Sequence, residues 1–208
     1  IASAMAVSSI LVRLGNYQAG AERDGAAFDA NRALFEAITG INADIYNAAA
    51  NSTAYAGMAT TLVVAWLIER RLWVAHAGDS RLYRLRGDRL EQITRDHSFS
   101  QELFDAGMVS AEEARALPAK NLVTRALGAD AELEPEIHAY DALPGDLLLL
   151  CSDGLSEMIG HYEIAALLAT ARDDIHGAAR RLVNMANEAG GRDNVSVLIV
   201  RLAADDVV

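Results

Sequence analysis

Four aspartates lie where a predicted strand meets a turn. Asp79 follows the strand pattern LWVAHA, Asp153 follows LLLLCS, and Asp193 precedes VSVLIV. Asp96 comes just after another short strand pattern, in TRDHS. Carboxylate oxygens are the ligands that Mg²⁺ and Mn²⁺ prefer, and neighbouring glycines allow backbone and water to approach closely. The pattern therefore predicts a site for hard divalent cations.

The same aspartates also have an ordinary structural explanation. Aspartate beside glycine or asparagine is common turn chemistry, and Gly78, Gly154 and Asn194 each adjoin one of the four. For any single aspartate, the local sequence does not separate a metal ligand from a turn residue.

Other potentially reactive side chains have simpler explanations. Cys151 ends an apolar run, which predicts a buried and inert thiol. The five histidines include no pair at the i, i+4 spacing of metal ligands. His76 lies in a strand pattern, which predicts a core position, whereas His97 has two candidate roles: ordering the carboxylate of Asp96, or lying on a mobile segment.

The elements that must position these residues change type along the chain. An apolar stretch over 1–14 predicts a well-buried helix, and a regular apolar stripe over 24–50 predicts a second, long helix. The middle of the chain predicts a strand meander. The strand patterns cover 60–68, 72–77, 81–86, 89–93, 146–152 and 195–202. Further helices are predicted after the capping-box spacing of Ser110 and Glu113, and over 162–171 and 174–189.

Helices and hairpin-connected strands in this order predict an α+β fold in which helices cover antiparallel sheets. No linker or repeat divides the chain, and its three prolines are scattered, so residues 1–208 are expected to form a single domain.

Composition excludes several classes of function. The chain has 208 residues, 18 basic and 29 acidic side chains, and a net charge of −11. That balance argues against binding to nucleic acid or to an anionic membrane surface. No apolar run approaches the length of a membrane span. One cysteine forms no internal disulfide, which suits a reducing compartment and predicts a cytoplasmic location.

Six ordered segments together resemble the metal-dependent protein Ser/Thr phosphatases of the PPM or PP2C family, in their compact bacterial form. The segments are GMATT (57–61), VAHAGDSR (74–81), TRDHS (94–98), NLVTRALG (121–128), GD with LLCSDGL (145–155) and GRDNVS (191–196). The resemblance implies an α-β-β-α sandwich of two antiparallel sheets flanked by helices.

The resemblance also implies roles for individual residues. Asp153 and Asp193 match aspartates that bind a pair of catalytic Mn²⁺ or Mg²⁺ ions, and Asp96 matches one that helps to hold a third, weaker ion. Asp79 corresponds to a structural position. Residues 97–122 resemble the mobile flap beside the active site.

The resemblance implies hydrolysis of phosphoserine and phosphothreonine in proteins, among them a Ser/Thr kinase or its substrates. Family members carry an upstream strand with a phosphate-binding arginine, and an Asp-Gly turn whose aspartate bridges both metals; this chain contains neither. The catalytic residues are therefore left unassigned, and 23–25 (RDG) is not expected to replace the turn. The alternative is a catalytically degenerate domain that binds and regulates a phosphoprotein.

Overall fold

A computed structural model describes residues 1–24, 28–68, 70–118, 122–170 and 174–207, without the side chains of 21–24 and 207. In the RDG segment at 23–25, considered above as a substitute turn, Gly25 and the side chains of the first two residues fall outside what is described. The helices are α1 (Ala2–Asp24), α2 (Ala30–Ala50), α3 (Phe99–Asp105), α4 (Ala111–Ala116), α5 (Asp153–Ser156), α6 (His161–Thr170) and α7 (Ile175–Glu188). The strands are β1 (Leu62–Ile68), β2 (Arg71–Ala77), β3 (Arg81–Arg86), β4 (Arg89–Gln92), β5 (Glu136–Asp141), β6 (Leu147–Cys151) and β7 (Val197–Arg201).

The strands form two sheets, which confirms the predicted α+β class with antiparallel sheets. One sheet has the order β1-β2-β5 and the other the order β4-β3-β6-β7. The predicted meander is therefore divided between the two sheets. The break falls at Gly78, whose φ of 114° suits glycine and whose added Cβ would lie 2.4 Å from Cγ2 of Thr61.

Helix α1 differs from its prediction. Residues four apart along one stripe are buried, namely Ala2, Ala6, Ile10 and Leu14. The opposite face exposes apolar side chains, including Leu11 at 70%. The prediction of a well-buried helix is wrong, because apolar composition does not reveal whether both faces of a helix have a partner.

By proximity, the described chain divides into two compact units, each made from three stretches. The first comprises Ile1–Val64, Trp73–Gly78 and His97–His138, and the second comprises Ala65–Leu72, Asp79–Asp96 and Ala139–Val208. None of the helices within the described ranges is long and apolar enough to cross a membrane.

The second unit contains the four-stranded sheet and the helices α5, α6 and α7. Strand β6 is central, with Leu147 and Leu149 buried beneath these helices, and Leu155, Ile164 and Leu182 complete the same core. This sheet fixes the end of β4, the end of β6 and the start of β7, and the predicted metal ligands lie next to these points along the chain.

Candidate metal centre

The pairing of β6 with β7 brings two of the predicted ligands to one end of the sheet. The register places Cys151 opposite Val197. Beyond that pair, the Ser152 amide donates to the Ser196 carbonyl at 3.1 Å, and the Ser196 amide donates to Oγ of Ser152 at 3.0 Å. The Ser152 hydroxyl in turn donates to the Asn194 carbonyl at 3.1 Å. The segments that carry Asp153 and Asp193 are therefore joined directly.

Gly154 allows the two segments to approach this closely. A Cβ at this position would lie 2.4 Å from the carbonyl oxygen of Asn194 and 3.0 Å from its carbonyl carbon. Because that contact is with backbone, a side chain at 154 would push the Asp193 segment away. The glycine of the Asp153-Gly154 pair thus serves close packing between two backbones.

Each of these aspartates has one carboxylate oxygen oriented by the next residue along the chain. The Gly154 amide donates to Oδ1 of Asp153 at 2.8 Å, and the Asn194 amide donates to Oδ1 of Asp193 at 2.6 Å. Within the described part of the chain, Oδ2 of neither aspartate accepts a hydrogen bond. Both carboxylates are positioned and still present an oxygen that a cation can bind.

Electrostatic repulsion within this centre favours a cation. Burial raises the pKa of Asp153, and the charges of Asp193 and Glu157 raise it further, against the lowering effect of the Gly154 amide. A bound divalent ion would offset both the burial and the repulsion. Glu157 was not singled out from the sequence, although it lies one helical turn after Asp153.

Asp79 belongs electrostatically to the same group of carboxylates. Burial raises the pKa of Asp79 to about 6, and the charges of Asp153 and Asp96 add to the rise. Its structural role stays a prediction. The coupling to Asp153 was signalled in the sequence only by the shared position of the two residues at strand ends.

Asp96 is held differently, by an ion pair inside the second unit. Arg81 donates from Nε to Oδ1 and Oδ2 at 2.9 and 3.1 Å, and from Nη2 to Oδ2 at 2.6 Å. Gln92 also donates to Oδ1, at 3.2 Å. One of the two roles suggested for His97 was to order the Asp96 carboxylate. Arg81 and Gln92 have that role instead.

In the first unit, the fold brings together His76, His97 and Glu136. Their potential ligand atoms lie within 4.8 Å of one another, a proximity that the sequence spacing did not reveal. The two imidazole rings stack at 4.5 Å with planes only 16° apart, and the Gly78 amide donates to Nδ1 of His97 at 3.2 Å. A metal binds imidazole in the ring plane, so two nearly parallel rings do not converge on one ion in this arrangement.

The predicted flap contains two short helices, α3 and α4. Ser98 caps α3, and Ser110 and Glu113 form the predicted capping box of α4. The segment is joined at both ends by a bridge between Ser98 and Val123. These bonds confirm the capping prediction; the mobility of the segment stays a prediction.

The aspartate geometry coincides with a family match along nearly the whole chain. The family model described as Protein phosphatase 2C matches residues 1–195. This chain belongs to the protein phosphatase 2C family. The match confirms the resemblance on which the fold and the metal-ligand predictions depend.

Individual relatives agree with that membership. The chain is 41% identical to protein phosphatase PhpP of Streptococcus pneumoniae over 153 residues, which are 74% of this chain. It spans 62% of the length of that relative. The crystal structure of the Mycobacterium tuberculosis phosphatase PstP/Ppp covers 97% of this chain, with 83% of its own chain matched, a TM-score of 0.81 and 33% identity.

A second structure bears on metal binding. The catalytic domain of PstP, solved in complex with two manganese ions, matches 95% of this chain and 80% of its own with a TM-score of 0.75 and 33% identity. At this identity the similarity covers both fold and family.

Proposed function

We propose that this chain belongs to a metal-dependent protein phosphatase that hydrolyses phosphoserine and phosphothreonine. The observation that carries the proposal is the convergence of Asp153 and Asp193 at one end of the β6–β7 pair, each presenting Oδ2. The PP2C relatives and the two manganese ions of PstP support it.

Asp153 and Asp193 are the proposed ligands of the catalytic Mn²⁺ or Mg²⁺ pair. Their chemistry fits, because these hard ions prefer carboxylate oxygen and two acids near each other need a countercharge. Bound ions of this kind supply an activated water and neutralise charge on the phosphoryl group.

The residues of this chain prepare the site before any ion binds. The amides of Gly154 and Asn194 fix the direction of the two carboxylates, and Ser152 ties their segments together. Asp193 is exposed, so the site is open to a substrate as large as a phosphoprotein. Fixed carboxylates lower the cost of ordering the site when the ions and substrate arrive.

The proposed partners are phosphorylated proteins, including a Ser/Thr kinase or its substrates. The proposed location is the cytoplasm. Burial raises the pKa of Cys151 to about 12, so the lone thiol is unreactive and has no part in the proposed chemistry.

Phosphate release from a phosphothreonine peptide, measured in the whole protein that contains these 208 residues, tests the proposal. Release should require Mn²⁺ or Mg²⁺, and Asp153→Asn or Asp193→Asn should reduce it by about a hundredfold or more. Asp44→Asn is the matched control, because Asp44 lies in an exposed ion pair with Arg13.

Two results would count against the proposal. Undiminished, metal-independent turnover in Asp153→Asn would contradict the assigned chemistry. Tight binding of the phosphopeptide by the wild-type protein without any hydrolysis would favour the degenerate, regulatory alternative.

A further inference from the structure

Both oxygens of the Asp96 carboxylate are already occupied by donors. A carboxylate offers about four lone-pair positions on its two oxygens. Three N–H groups reach them: Nε of Arg81 is shared between Oδ1 and Oδ2, Nη2 of Arg81 donates to Oδ2, and Gln92 donates to Oδ1. The side chain of Asp96 is only 12% exposed, so a cation cannot bind it from outside without displacing one of these donors.

The guanidinium of Arg81 is itself held in place. Its Nη1 donates to the hydroxyl of Tyr83 at 3.0 Å, and Tyr83 lies in the core of the second unit. Burial opposes the charge of Arg81, but the hydrogen bonds to Asp96 outweigh it and raise the pKa of the guanidinium. Arg81 is therefore charged where it contacts Asp96.

We infer that Arg81 occupies the place of a third cation at Asp96, so that an ion binds Asp96 only when the guanidinium is displaced. This inference rests on the proposed function, since it concerns an ion beyond the pair assigned to Asp153 and Asp193. It changes the expectation from the family resemblance. Asp96 binds the guanidinium of Arg81, and an ion reaches Asp96 only by replacing that guanidinium.

The bidentate contact of Arg81, in which Nε and Nη2 both donate to the Asp96 carboxylate, makes this exchange costly. Two parallel, charge-assisted bonds to one carboxylate are among the stronger interactions of a protein, and they are stronger when partly buried. A divalent ion must offset their loss before it gains any contact with Asp96. Wild-type protein should therefore show no Asp96-dependent ion at concentrations that fill the Asp153–Asp193 centre.

Counting bound Mn²⁺ by electron paramagnetic resonance tests this directly, without any assay of activity. In the wild-type background, Asp96→Asn should leave the number of bound ions unchanged. Arg81→Gln should add one ion whose affinity is about tenfold or more above any weak binding in the wild type. Arg81→Lys, which keeps the charge but loses the bidentate contact, should be intermediate.

The added ion must depend on Asp96, so the double variant Arg81→Gln/Asp96→Asn should lose it. Arg84→Gln is the matched control. Arg84 lies on the same strand as Arg81 but pairs with Glu91, so this variant removes one positive charge without touching Asp96. Each variant is compared only after its circular dichroism and cooperative unfolding match those of the wild type.

Two results would overturn the inference. One is an ion in the wild type that disappears in Asp96→Asn at the concentration that fills the pair. The other is an unchanged ion count in a folded Arg81→Gln variant. Failure of the proposed function is a separate outcome, in which neither Asp153→Asn nor Asp193→Asn changes Mn²⁺ binding.

Discussion

Two strand pairs meet at the same end of the four-stranded sheet and carry aspartates with opposite surroundings, because the antiparallel register sets Arg81 of β3 opposite Cys151 of β6. At the β6–β7 pair, Asp153 and Asp193 each accept one short local bond and present the second oxygen. At the β3–β4 pair, both oxygens of Asp96 are taken by Arg81 and Gln92. The difference teaches that the donors already bound to a carboxylate decide whether it can bind a metal.

The largest expected difference between the two strand pairs is in the stability that their aspartates contribute. Asp96→Ala leaves the buried charge of Arg81 without its partner, which should lower the free energy of unfolding by about 3 kcal/mol. Asp193→Ala removes only an exposed side chain and should cost less than about 1 kcal/mol. Urea unfolding in EDTA measures both; equal losses would contradict the comparison.

A second change acts on the β6–β7 pair alone. Gly154→Ala places a methyl group 2.4 Å from the Asn194 carbonyl, so the backbone must move. We expect a loss of about 2 kcal/mol in unfolding free energy and a separate weakening of Mn²⁺ binding.

Gly87→Ala is a useful control, because nothing lies within 4 Å of an added Cβ there, and its cost should come only from its φ of 56°. Unchanged Mn²⁺ binding in Gly154→Ala would show that the contact does not hold the two ligands together.

Metal binding should stabilise the protein through the aspartates of the β6–β7 pair only. At ten times its dissociation constant, Mn²⁺ should raise the free energy of unfolding by about 1.4 kcal/mol, and EDTA should remove this gain. Asp153→Asn should abolish the gain and Asp96→Asn should retain it. Urea titrations with and without Mn²⁺ check this, and a gain lost in Asp96→Asn would place the ion at Asp96 instead.

The smallest effect concerns Asp79, whose charge interacts with Asp153 beside one strand pair and with Asp96 beside the other. Its pKa is about 6 in the folded protein and 3.8 ordinarily, so the folded state holds its proton more tightly. The resulting stability is complete below pH 3.8 and is lost as the pH rises through 6. The full difference corresponds to about 3 kcal/mol, which partial exposure reduces to roughly 1 kcal/mol.

Asp79→Asn should therefore make the metal-free protein more stable at pH 7 by roughly 1 kcal/mol and flatten its stability between pH 4 and 7. Thermal unfolding in EDTA across this range measures the effect. A variant that is less stable than the wild type at pH 7 would show that Asp79 makes a favourable contact as a carboxylate.

The sequence predicted the strands of both pairs but not the contact between Arg81 and Asp96, for a physical reason. Apolar runs in β6 and β7 identify both strands, and short turn motifs next to them carry Asp153 and Asp193. The bonds between Arg81 and Asp96 join residues 15 positions apart across a hairpin, and no local pattern signals them.

Other differences share that cause. Strand β5 was not predicted, because EIHAYD mixes charged and apolar residues and depends on its place in the β1-β2-β5 sheet. The stacking of His76 on His97 likewise arises from residues distant in sequence. The exposed face of α1 went unpredicted because composition does not specify what a helix packs against.

The bond that each metal-site aspartate accepts from its neighbour's amide has a consequence for which acids these positions tolerate. The amide of residue n+1 and the carboxylate of residue n close a small ring, whose size is set by the single methylene of aspartate. Glutamate would enlarge that ring by one carbon and turn the second oxygen elsewhere. Positions 153 and 193 therefore select for the length of a side chain as strictly as for its charge.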